Sequence, residues 1–326
     1  MAGRFLGFHA PGRFDRIVDV ESCALISDDA NRLLQVLRRT TLAEHLPSPW
    51  DVKEHTGFWR HVQLREGFAT REHLICLYTA PPQNDAETTA VEHCAQTLMQ
   101  TTLSQGHRVV GVVWFENPSL GDAAQGSERK VWGRSWFREQ LERTEFHIAA
   151  RAFFQTSTRG AEILYDTIRE AIQQKSGTLY DLYCGLGSIG LFLRDEFDAL
   201  IGIEEIPEAV EAARANAQRL GFANTTYIAQ KMEDALEQLP QTAQRHTFVV
   251  DPPRAGLHPK VAKALVQAPG DELIYVACHP HSLGRDALIL AEGGWQCSDL
   301  WLVDLFPQTY HIEAVGRFTR QHETEL

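Results

Sequence analysis

The spacing of apolar and polar positions divides the chain into two stretches of different character. Up to about residue 150, short alternating runs are broken by polar loops. Residues 60–65 alternate as a half-buried strand does, residues 72–78 do so in part, and residues 109–115 are dense in β-formers. Over about 87–104, Val91, Cys94, Ala95, Leu98 and Leu103 recur near the helical period. Proline-, glycine- and asparagine-rich loops at 81–85 and 117–122 punctuate the region. The pattern predicts a smaller α+β domain over residues 1–150, built on an antiparallel sheet.

From about Ala150 onward, strand and helix patterns alternate. Apolar strands are predicted at 178–183, 199–203, 226–229, 247–250 and 272–276, with two late ones around 301–303 and 311–315. Helices are predicted at 207–220, where Pro207 opens the run and Gly221 follows it, at 259–267, and at 282–292. Repeated βα units imply an α/β domain over residues 151–326, a seven-stranded Rossmann-like sheet that is largely parallel and covered on both faces. Ligands of such sheets bind beyond the carboxyl ends of the strands.

The chemically interesting residues fall at those ends. The turn after the first strand reads Asp181-Leu-Tyr-Cys-Gly-Leu-Gly-Ser-Ile-Gly190, and Gly185 and Gly187 allow the backbone to turn tightly and approach a ligand. Glu204 ends the next strand, where a carboxylate can accept both hydroxyls of a ribose. This layout suits any adenosine-containing cofactor, and Gly190 keeps a nicotinamide site open as an alternative. The fourth strand runs into Asp251-Pro-Pro-Arg254, whose prolines force a rigid, extended exit. The fifth runs into Cys278. His279, His281, Arg285 and a helix start near Ser282 are expected to lower the pKa of that thiol. Finally Glu313, placed with His311 on one face of a late strand, is a carboxylate in an apolar run and needs a partner or a task.

Composition narrows the reading. A net charge of -12, from 31 Lys and Arg against 43 Asp and Glu, argues against a nucleic-acid binder held by bulk charge, though not against a local basic surface. No two of the six cysteines, among them Cys23, form a C-x-x-C pair, so a zinc ribbon or a thioredoxin-type motif is not expected. No apolar run approaches membrane-spanning length and the first residues do not resemble a secretory signal, so a cytoplasmic protein is expected.

Taken in order, these motifs resemble those of the RNA (uracil-5-)-methyltransferase family, especially its 23S ribosomal RNA members. Phe153-Phe-Gln-Thr-Ser157 is similar to the family's F-F-Q-T-N segment; 181–187, 202–204, 251–256, 275–280 and 306–313 match further motifs, and 60–67 and 122–125 are similar to its central domain. The resemblance implies that Gln155, Tyr183, Gly185, Ser188, Glu204 and Asp251 surround S-adenosylmethionine, that Cys278 is the nucleophile, and that Glu313 is the base. It also implies a structured RNA partner, ribosomal before transfer RNA, and a protein acting as a monomer.

The chemistry accounts for the set. Uracil C5 is too weak a nucleophile to take a methyl group unaided. A thiolate adding to C6 creates an enolate nucleophilic at C5, groups such as Asp251 and Arg254 stabilise it, and a base then removes the C5 proton.

There are departures from the family pattern. Ser157 and Ser188 stand where Asn is common and His279 where Asn is usual, and Gln230-Lys-Met-Glu233 replaces Gly-Asp-Ala-Glu. The family's small N-terminal β-barrel and three closely spaced cysteines have no counterpart in this sequence. Cys23 is the one candidate remnant of an iron–sulfur site, and since a cluster needs about four thiolates, none is expected. Two other readings stay open: a nicotinamide-dependent oxidoreductase on a similar sheet, and an RNA-docking relative that has lost turnover.

Overall fold

The computed structural model describes residues 4–236, 246–268, 270 and 272–320. The chain forms two compact units, Met1–Glu139 and Gln140–Leu326. The division falls before Ala150, where the sequence pattern changes.

The first unit opens with an antiparallel hairpin, β1 (Gly7–Ala10) and β2 (Arg13–Asp19), followed by α1 (Asp28–Thr41). Ser27 caps α1 by accepting a hydrogen bond from the Ala30 amide at 3.0 Å. Then come β3 (Trp59–Gly67), β4 (Glu72–Thr79), α2 (Asp85–Met99), β5 (Arg108–Glu116) and β6 (Ser127–Gly133). These strands form one sheet in the order β3-β4-β5-β6. It is not antiparallel throughout, as expected from the sequence, because β4 and β5 run parallel. Two parallel neighbours need a crossover, and α2 is that crossover. Its buried stripe of Val91, Cys94, Ala95 and Leu98 packs into a core with Leu33, Ile75, Val112 and Trp114. The helix ends at Met99 rather than near Ser104, where the β-branched pair Thr101-Thr102 disfavours its continuation, so Leu103 lies outside it.

A hairpin, β7 (Trp136–Leu141) and β8 (Thr144–Ala149), spans the division in the chain. The second unit continues with α3 (Thr158–Ala171), β9 (Thr178–Leu182), α4 (Ser188–Phe192), β10 (Ala199–Glu204), α5 (Pro207–Arg219), β11 (Thr225–Ala229) and α6 (Met232–Leu236). It closes with β12 (His246–Val250), α7 (Pro259–Gln267), β13 (Glu272–Ala277), α8 (Pro280–Glu292), β14 (Trp295–Val303) and β15 (Glu313–Arg320). Seven strands make one sheet in the order β11-β10-β9-β12-β13-β15-β14. Six run in one direction, and β15 is inserted antiparallel between β13 and β14. The central strands β9, β12 and β13 are buried along their whole length, as strands covered on both faces must be. The chain winds outward from β9 through β10 to β11 and returns to β12 on the other side of β9. The resulting switch point lies at the carboxyl ends of the strands, where open α/β sheets bind ligands. Among the described residues no helix is long and apolar enough to cross a membrane.

Candidate active site

At the end of β9 the backbone turns through three left-handed residues, Tyr183 (φ 62°), Gly185 (φ 54°) and Gly187 (φ 80°). A glycine is needed at 185 and 187 for different reasons. At Gly187 a Cβ would lie 2.8 Å from the Tyr227 hydroxyl oxygen and 3.2 Å from the Ala213 Cβ, so packing forbids it. At Gly185 nothing lies within 4 Å, so the bare backbone faces open space. The turn is pinned from two sides. Glu204, at the end of β10, accepts from the Gly185 amide at 3.1 Å and the Ile206 amide at 2.9 Å, which fixes the plane of its carboxylate. Asp181, buried within β9, accepts from the Gly190 amide at 2.9 Å and ties α4 to the strand. Burial, with Glu204 nearby, pushes Asp181 up to about 7.

Around this turn the other expected cofactor residues are placed unequally. Ser188 starts α4 and lies 2.8 Å from the Tyr165 hydroxyl. Gln155 is partly buried in the segment before α3, and Ser157 caps that helix by accepting from the Gly160 amide at 3.1 Å. The Tyr183 side chain packs against the apolar core and its hydroxyl is near the backbone amide of His258, so what Tyr183 offers the turn is its backbone. Asp181 and Tyr165 were missed in the sequence as positioning groups. The signal for Asp181 was an acid inside an otherwise apolar strand.

The second half of the site lies at the ends of β12 and β13. The Asp251 amide donates to the Leu182 carbonyl at 3.3 Å, which joins this half to the cofactor turn. Beyond Asp251 the loop is held by a buried carboxylate from α8. Asp286 accepts from the Leu257 amide at 2.7 Å and the Tyr275 hydroxyl at 2.6 Å, while Arg285 donates to the Ala255 carbonyl at 2.9 Å. Gly256 (φ 80°) threads between them, since a Cβ there would lie 2.6 Å from both Arg285 and Asp286. Nothing in the sequence distinguished Asp286 from an exposed helix acid.

Cys278 and Glu313 come together through strand register. In the antiparallel β13–β15 pair, Ala277 faces Ala314; Cys278 follows directly after β13 and Glu313 is the first residue of β15, so both lie at this end of the pair, and the Glu313 carboxylate acts on the Cys278 thiol. Because β15 runs antiparallel, its first residue lies at the same end of the sheet as the last residues of β9, β12 and β13. Glu313 is 5% exposed and has a strand on either side, so it is not an edge-strand acid in solvent. Burial pushes it up to about 6. Asp251 is pushed up to about 7 by burial, with Glu313 and Asp181 adding to the shift.

Two expectations are corrected here. The Cys278 pKa is raised, not lowered. Burial is the main cause, followed by the Glu313 and Asp251 carboxylates, and the cation that opposes them is the exposed Arg254. Arg285 is turned to Asp286 and the Ala255 carbonyl instead. His311 does not share a strand face with Glu313, because β15 begins at Glu313 and His311 lies in the preceding loop, its ring 4.2 Å from that of the exposed Tyr310.

A family profile described as tRNA (uracil-5-)-methyltransferase matches residues 131–321 of this chain. The chain is also 34% identical, over 315 residues, to an uncharacterised RNA methyltransferase of Caldanaerobacter subterraneus, covering 95% of this chain and 68% of that one. The chain belongs to the RNA (uracil-5-)-methyltransferase family. To a second uncharacterised RNA methyltransferase, of Chlorobaculum tepidum, this family member is 34% identical over 322 residues, 97% of its own length and 65% of the other's. It thus spans about two thirds of the length of these relatives. Its fold is that of the Pyrococcus abyssi tRNA (uracil-54, C5)-methyltransferase solved with S-adenosyl-L-homocysteine. The TM-score is 0.76 at 24% identity, covering 97% of this chain and 73% of that one. The family uses S-adenosylmethionine, and the turn fits such a group: bare backbone at Gly185 faces open space beside a Glu204 carboxylate already oriented by two amides.

Proposed function

We propose that this chain methylates C5 of a uridine in structured RNA, with Cys278 as nucleophile and Glu313 as base. The observation that carries the reading is the nearness of Cys278, just past the end of β13, to Glu313, the first residue of β15, at the sheet end that also holds the turn after β9. S-adenosylmethionine, bound by Gly185, Glu204 and their neighbours, supplies the sulfonium methyl group.

Cys278 is a thiol at neutral pH, raised by burial and two carboxylates, so it must first give up its proton, which passes to water and leaves Glu313 free for the later step. Glu313, with a pKa near 6, is mostly ionised at neutral pH and can accept a proton. The Cys278 sulfur bonds to C6, and the Arg254 guanidinium stabilises the negative charge that develops on the ring. After C5 has gained the methyl group, Glu313 takes the C5 proton. The electrons of that C–H bond restore the C5–C6 double bond and expel the thiolate. Gln155, Ser188 and Asp251 complete the cofactor's surroundings in this reading.

The first unit is assigned to RNA contact despite the acidic chain. Fully buried Glu72 is met by Arg108 at 2.6 Å, Arg134 at 2.7 Å and Arg138 at 2.9 Å. Arg134 also lies over the Trp136 ring at 4.1 Å, and Phe68 is exposed nearby in the turn between β3 and β4. Fixed guanidinium groups beside aromatic faces suit RNA phosphates and unstacked bases. Among RNAs we assign 23S ribosomal RNA first, on the motifs, and transfer RNA second, on the name of the matching family.

RNA containing 5-fluorouridine tests the chemistry, because fluorine at C5 cannot be removed as a proton. The expected result is a covalent protein–RNA adduct dependent on S-adenosylmethionine and absent in Cys278→Ala. RNA binding without any adduct would mean a docking relative that has lost turnover. Mapping 5-methyluridine in ribosomal and transfer RNA from a deletion strain assigns the target.

A further inference from the structure

The first unit holds a second cluster of chemically active side chains, far in sequence from Cys278. We propose that Glu66, His73 and His107, with Asp29 beside them, bind one divalent transition-metal ion of the zinc class. Three adjacent strands and one helix bring them together. Glu66 and His73 are directly opposed in the β3–β4 register, and so lie on one face of the sheet. His107 immediately precedes β5, whose first residue Arg108 faces Glu72 of β4. Asp29 comes from the first turn of α1.

The distances favour a shared ion over plain hydrogen bonds. His73 Nε2 is 3.3 Å from His107 Nδ1 and 3.9 Å from Glu66 Oε1, and Asp29 Oδ2 is 3.4 Å from His107 Nδ1. The ligand atoms of Glu66, His73 and His107 all lie within 4.8 Å of one another. Good N–H···O bonds cluster near 2.9–3.0 Å. Zinc–nitrogen bonds of about 2.0–2.1 Å at tetrahedral angles put two ligand nitrogens about 3.3–3.4 Å apart, the spacing of the two imidazoles here. His107 Nδ1 faces a nitrogen and a carboxylate oxygen at nearly equal distance. A single hydrogen on that atom can serve only one of them, whereas an ion between them serves both.

The surroundings suit the role. His73 and Asp29 are almost fully buried, at 2% and 3% exposure. The other Asp29 oxygen is fixed by the Ser104 amide at 3.0 Å and hydroxyl at 3.2 Å, the kind of outer bond that orients a ligating carboxylate. Imidazole and carboxylate donors suit zinc, and also cobalt, nickel and iron. An ion here would clip α1 to three strands of the sheet.

The test uses the untagged full chain, stripped with a chelator and titrated with Co²⁺ while visible absorption is recorded. One Co²⁺ per chain is expected, with ligand-field bands that Zn²⁺ displaces. The thermal midpoint should rise by several degrees with excess Zn²⁺. His107→Gln and His73→Gln should abolish the bands. Glu66→Gln, a milder change at a partly exposed position, should weaken Co²⁺ binding about tenfold or more if the buried variants do not fold. His9→Gln, in a separate cluster where His9 and His61 meet Asp122 at 2.8 Å and 3.1 Å, should leave the bands intact. The proposal is overturned if the wild-type chain gives no bands, if they survive His107→Gln and Glu66→Gln, or if they vanish in His9→Gln.

Discussion

Glu72 in the first unit and the pair Glu313 and Asp251 in the second are secluded acidic side chains treated in opposite ways. In the first, Glu72 has no exposure but three arginines reach it, and their hydrogen bonds outweigh the cost of burial and hold it down to about 2. In the second, burial of Glu313 and Asp251 goes uncompensated by any such cluster, and they rise to about 6 and about 7. The first arrangement fixes a charge permanently. The second leaves carboxyl groups that change protonation near neutral pH, which is what proton transfer requires. Similar residues in similar seclusion thus serve architecture in one place and, in the reading proposed above, chemistry in the other. The number of cations in reach decides which.

The contrast can be broken most sharply at Glu313. Glu313→Gln keeps the shape but cannot take the C5 proton. Turnover should fall by roughly 10³-fold, while the methylated Cys278–RNA adduct accumulates and can be seen by denaturing electrophoresis with labelled RNA. Adduct-free loss of activity would remove Glu313 from the role of base. Next in size is Glu72→Ala. Leaving three guanidinium groups without their shared carboxylate should cost about 3–5 kcal/mol in denaturant unfolding, and a neutral result would mean those arginines are solvated and not locked.

Two smaller effects concern pH. Methyl transfer should increase as pH rises through about 6, where Glu313 ionises, and continue to increase towards alkaline pH because the Cys278 thiol is raised above its ordinary value. A rate profile that is flat above pH 6 would show that thiol ionisation is not limiting. Stability should move the other way. The folded pKa of Asp251 lies above its unfolded value, so the native state binds the extra proton, and stability present at low pH is lost as pH rises from about 4 to about 7. Asp251→Asn removes that penalty. It should therefore stabilise the protein by on the order of 1–2 kcal/mol at pH 8 and by much less at pH 4. Equal melting shifts at both values would refute the raised pKa.

What the sequence revealed follows from which signals are local. The strands β9, β10, β12 and β13 were legible because their mostly buried positions leave short, predominantly apolar runs. The stripe Ala161, Leu164, Tyr165, Ile168 and Ala171 of α3 was equally present but lies among charged residues, and it was overlooked. The parallel pairing of β4 and β5 could not be read, since strand direction depends on where the crossover lands. Cys278 and Glu313 were each visible as candidates, but their nearness depends on β15 slotting between β13 and β14. The direction of the thiol shift was misjudged for a similar reason. Neighbours in sequence such as Arg285 are committed elsewhere, and the charges that act on the sulfur come from other strands.

The late insertion of β15 bears on how the protein is made. Synthesis runs from the amino end, so the nucleophile strand β13 leaves the ribosome well before the strand that carries the carboxylate. In the reading proposed above, the elements through α8 carry the sulfur without the carboxylate that ends the reaction. The strand that lies between β13 and β14 is then both the one that completes the sheet and the one on which release of the product depends.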